Sequence, residues 1–78
     1  MKTINTTYVG KADTTVDTIQ LKNGNVCYLY NKDGMTSLIP DLGSLLEFLK
    51  GDTSNRMGCF PTESAEEMID GFEKIFSE

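Results

Sequence analysis

The chain has 78 residues, 38% hydrophobic and 24% charged, with seven basic residues against twelve acidic ones and a formal net charge of −5. That length makes one domain burying only about 60–65% of its unfolded surface, in a composition too apolar for disorder and too charged for a membrane protein. No histidine is present and no apolar run approaches the roughly 20 residues that span a bilayer, so imidazole-based triads are excluded and no membrane span or signal peptide is expected.

Met1 to Val9 reads as a first strand, because Ile4, Thr6 and Tyr8 alternate with Thr3, Asn5 and Thr7, and threonine suits a pleated surface. Gly10 to Asp13 breaks the alternation and forms a connection. Thr14 to Leu21 is a second strand with apolar residues on both faces, Val16 on one and Ile19 with Leu21 on the other. Either a bulge shifts the pattern or Val16 packs from the second face. Asn23-Gly24 between strand-like runs is a strong hairpin signal and predicts a type I′ turn, in which both central residues take positive φ.

The third strand, Asn25 to Tyr30, places Val26, Tyr28 and Tyr30 opposite Cys27 and Leu29, and such two-sided apolarity predicts a central strand. A second turn at Asn31 to Gly34 leads into a fourth strand, Met35 to Ile39, which Pro40 ends for want of a backbone N–H. Short turns between these runs demand antiparallel pairing. The expected sheet is a three- or four-stranded meander across residues 2–39.

Asp41 is placed to cap a short helix over residues 42–50, with Leu42, Leu45, Leu46 and Leu49 on one side, Phe48 at the margin and Gly51 as the left-handed stop. Residues 52–60 have little periodicity and read as a surface loop, although residues 57–60 could form a short strand. From Pro61 onward Ala65, Met68, Ile69, Phe72, Ile75 and Phe76 recur at helical spacing, and Ser64 with Glu67 has the spacing of a capping box. A second helix is therefore expected over residues 64–76. The whole is an α+β fold, a meander followed by two helices packed on one sheet face.

Charge divides with the predicted structure. Residues 1–39 carry four lysines and three aspartates, a net +1, while residues 40–78 carry three basic and nine acidic residues, a net −6. Glu63, Glu66, Glu67, Asp70 and Glu73 fall opposite the apolar stripe of the last helix. A negative surface of this kind repels nucleic acid and favours a basic protein partner, so direct nucleic-acid binding is disfavoured; it also serves solubility.

Catalytic and cofactor chemistry finds little support. Cys27 lies in an apolar run, where a reduced buried thiol is ordinary, and Cys59 lies in a glycine-flanked segment. A bond between them needs Cα atoms within about 4.4–6.8 Å. Zinc would require two distant cysteines and carboxylates, the aspartates do not fit a calcium loop, and no phosphate-binding glycine loop is present. No cofactor or metal is expected.

These features predict a small cytoplasmic, non-enzymatic interaction module, an inhibitor or adaptor that uses an acidic helical face. The expected contacts are Glu63, Glu66, Asp70 and Glu73, with Phe48, Tyr28 and Arg56 as further contributors. One version is an inhibitor, encoded by a phage or mobile element, that competes with nucleic acid for a basic surface. Alternatives are a self-assembling subunit using the sheet edge or the leucine-rich helix, and a minimal enzyme dependent on Cys59 or a carboxylate.

Overall fold

A computed structural model describes residues 2–76, with side chains described through Lys74. The expected contributions of Met1 to the first strand, and of the Ile75 and Phe76 side chains to the helical stripe, lie outside this description. Strands β1 (Lys2–Val9), β2 (Thr14–Gln20), β3 (Val26–Lys32) and β4 (Met35–Ile39) form the antiparallel meander, followed by helix α1 (Leu42–Leu49). A further strand, β5 (Gly58–Pro61), precedes a 3-10 turn at Thr62–Ser64 and helix α2 (Ala65–Phe76). The sheet order is β1-β2-β3-β4-β5, so each strand lies beside its sequence neighbour and, among the described residues, β1 and β5 form the edges.

The turns set the register, with one exchange of turn type. Asp33 and Gly34 both have positive φ, 54° and 77°, and join Lys32 to its partner Met35, which is the two-residue type I′ geometry. At Asn23-Gly24 only Gly24 has positive φ. There the Gly24 N–H donates to Leu21 O at 3.0 Å and the Leu21 N–H donates to Asn25 O at 2.8 Å, closing a three-residue loop instead. The Asn23 side chain accepts from the Asn25 N–H at 2.9 Å, a local bond that holds the loop without requiring a left-handed asparagine.

The apolar residues of the central strands divide between two cores. Ile19, Leu21, Cys27, Leu29, Leu38 and Phe60 pack with Ile69 of α2, flanked by Ala65 and Phe72. Val16 and Ile39 pack with Leu45 of α1, flanked by Val9, Tyr28, Tyr30 and Phe48. Neighbouring residues such as Leu38 and Ile39 point to opposite sides of a strand, so the two clusters occupy opposite sheet faces. The expected placement of both helices on one face is corrected accordingly. A sheet apolar on both sides needs a cover on each, and β5 gives the chain its route from α1 to the other face.

Local chemistry fixes both ends of α1. The Ser44 backbone N–H donates to Asp41 Oδ1 at 2.7 Å, satisfying an orphan donor of the first turn. At the other end the Gly51 N–H bonds Phe48 O and the Asp52 N–H bonds Glu47 O, a Schellman cap that uses Gly51 at φ 111°. The Ser44 backbone and hydroxyl bonds hold the Asp41 carboxyl below the usual carboxylate range. A depressed folded value means that the cap contributes fully above the unfolded carboxylate range and is lost as pH falls through the folded value. Asp41→Asn keeps a capping oxygen but cannot titrate. Its thermal midpoint should therefore fall less steeply than that of the parent protein between about pH 5 and about pH 2.

Candidate interaction surfaces

The start of α2 is fixed by a line of polar side chains crossing the sheet. Thr6 donates to Asp17 at 2.7 Å, Asn31 donates to Asp17 at 3.0 Å, and Thr36 donates to Asn31 Oδ1 at 2.7 Å. Thr36 is fully buried and its hydroxyl shares a 2.9 Å hydrogen bond with that of Thr62. The Thr62 N–H also donates to Gly34 O at 2.9 Å. These bonds pin the 3-10 turn against β4, so α2 leaves the sheet in a defined direction.

Ile69 then anchors the helix, buried in the core, and turns its opposite side to solvent. Glu63, Glu66, Glu67 and Asp70 are all exposed. They form an exposed acidic band, in which Asp70 stands four positions from Glu66 and three from Glu67 and so neighbours both. Beside the band lies a shallow groove of about 230 Å³ lined by Glu67, Met68, Gly71 and Phe72. Met68 is 44% exposed, and Phe72 lines the groove from a half-buried position with its ring beside Gly58. Glu67 thus borders both the carboxylate band and an apolar depression.

Glu73 stands apart from this band. It is only 5% exposed, and its Oε2 accepts the Lys22 backbone N–H at 3.1 Å, tying α2 to the β2–β3 hairpin. Its helical angle lies next to Ile69, about 40° away, whereas Asp70 lies a further 60° toward solvent. Glu73 is therefore an internal fastening, not a solvent contact.

The remaining predicted contacts are dispersed. Tyr28 and Phe48 are half-buried on the face that α1 covers, and the Phe48 ring meets Tyr30 with centroids 4.8 Å apart. Arg56 is exposed in the connection between α1 and β5. The structure thus groups Glu63, Glu66 and Asp70 with Glu67, Met68 and Phe72, and places Tyr28, Phe48 and Arg56 elsewhere.

A second apolar surface lies on α1. Leu45 is buried, but Leu42, Leu46 and Leu49 are 55%, 51% and 41% exposed at spacings of four and three, a solvent-facing ridge. Leu42, Leu46 and Leu49 fall within about 60° of arc, while the sheet covers the flank that carries Leu45 and Phe48, so the ridge follows from how α1 is rolled on the sheet.

Among the described residues no group of three or more cysteine, aspartate or glutamate side chains could hold a metal ion, and no helix is long and apolar enough to cross a membrane. Both cysteines are free; Cys27 is buried and burial pushes its thiol up, whereas Cys59 is exposed. A thiol reagent should therefore label one cysteine rapidly in the folded protein and the second only on unfolding. Mass mapping of the first adduct to Cys59 checks the assignment. Comparison with known proteins finds no match to any family model, curated protein or solved structure.

Proposed function

We propose that this protein is a non-enzymatic interaction module, working in the cytoplasm, that binds a basic protein surface through the exposed side of α2. The observation that carries the reading is the juxtaposition of Glu63, Glu66, Glu67 and Asp70 with the groove formed by Met68, Gly71 and Phe72. Carboxylates aligned in solvent steer a cationic partner and select its register, while a neighbouring apolar depression supplies contacts that hold once water leaves. An inhibitor or adaptor needs both properties, and neither demands a catalytic group.

Substituting Glu66→Gln, Glu67→Gln and Asp70→Asn together removes three charges without changing side-chain size much. Partner captured on the immobilised parent protein should be lost on the variant, and binding of the purified partner should become weaker and less salt-dependent. Binding that keeps the same affinity and the same salt slope in the triple variant refutes the acidic-band reading.

A further inference from the structure

We infer that the outer edge of β1 is a self-association surface, on which a second copy of this chain adds its own β1 in antiparallel register. Among the described residues β1 pairs with β2 alone, so its other edge presents backbone N–H and C=O groups outward. The two edges of the sheet differ in how they are guarded. At the far edge β5 has only four residues and ends in Pro61, which has no N–H to donate. The β1 edge has eight residues, no proline and a single charge, Lys2, at its beginning.

A register shift between Thr3 and Asn5 distorts the start of β1, but Asn5 to Val9 pair one-to-one with Thr18 to Thr14. This regular five-residue stretch is the usable edge. Two-fold antiparallel pairing about its midpoint sets Thr7 against Thr7, Thr6 against Tyr8 and Asn5 against Val9, all of them uncharged pairs. Tyr8 is 63% exposed, and its hydroxyl is already held by Asp13 at 2.6 Å, so the ring is positioned beside the incoming threonine.

Charge distribution favours a second copy over this chain's acidic surfaces meeting each other. The half containing β1 has a net charge of +1 and the half containing α2 has −6. α2 starts beside β5, at the opposite edge, and crosses the sheet toward the β2–β3 hairpin, so two copies joined through β1 meet along strands that carry one lysine each and no carboxylate. Pairing over a five-residue edge is a short contact for a dimer, since stable interfaces bury roughly 1,200 Å² or more, so association is expected only at high concentration.

The test uses the symmetry. Sedimentation velocity over a concentration series is run on the parent chain, Thr7→Lys, Thr7→Glu and an equimolar mixture of the two variants, with circular dichroism confirming that each variant is folded. The parent mass should rise toward twice the chain mass, each variant should need at least about tenfold higher concentration to do so, and the mixture should recover the dimer because opposite charges meet at the axis. A parent chain that stays monomeric throughout overturns the inference. So does a dimer indifferent to both Thr7 variants but dissolved by Leu46→Glu, which places self-association on the α1 ridge.

Discussion

Ile69→Ala is expected to lower unfolding free energy by about 2–5 kcal/mol, the range for truncating a large aliphatic side chain inside a packed core. Ile69 is completely buried and joins Ile19, Leu21, Cys27, Leu29, Leu38 and Phe60 into one cluster. Ala65 and Phe72, its neighbours along α2, are only partly buried and border the same cluster. Among the described residues of α2, truncation at position 69 therefore removes the one apolar side chain buried completely in that core. A domain of this length has only about 4–12 kcal/mol of total stability by ordinary per-residue values, so the loss is a large share of it. Met68→Ala one position away removes a side chain that is nearly half exposed and should cost less than about 1 kcal/mol. Urea unfolding of both variants separates the two positions, and equal losses would contradict the burial of Ile69. The functional corollary is that Ile69→Ala weakens partner binding only through loss of the ordered α2, so binding should recover under conditions that restore the fold.

Much of this architecture is legible in the sequence, because short-range chemistry decides it. Pro40, the Asp41 cap and the Gly51 stop set the limits of α1 through local chemistry. The meander follows from alternating strands and short connections. Val16 shows where local reasoning divides: its placement opposite Ile19 admits either a bulge in β2 or a second packed face, and the structure takes the second face, with the register shift on β1 instead. The same fact carries the helices to opposite sides, a long-range outcome that no single segment specifies. Asn23-Gly24 and Asp33-Gly34 have similar turn chemistry, and pairing across each hairpin decides which becomes type I′. Of the expected contacts, Glu66 and Asp70 are exposed on α2 and Glu63 is exposed in the 3-10 turn ahead of it. Helical periodicity could not place Glu73, because its angle lies at the boundary of the buried stripe and its partner is 51 positions away in sequence.

Replacing Glu73 should cost stability while leaving the acidic band unchanged. Glu73→Ala removes the carboxylate that accepts the Lys22 N–H, and a hydrogen bond to a charged group contributes about 1.5–3 kcal/mol. Glu73→Gln retains a carbonyl oxygen at nearly the same reach but gives up the charge, so its loss should be smaller. Hydrogen exchange at the Lys22 amide offers a local readout, since that N–H should exchange faster in Glu73→Ala than in the parent protein. Asp70→Asn provides the reciprocal comparison. Asp70 is exposed, so its substitution should leave the unfolding midpoint within about 0.5 kcal/mol of the parent value while weakening association with a basic partner. At a temperature where all three variants are fully folded, Glu73→Gln should therefore bind as the parent does and Asp70→Asn should not. If Glu73→Gln instead reduces binding and spares stability, the carboxylate belongs to the partner-facing surface, and its bond to the hairpin must open on association.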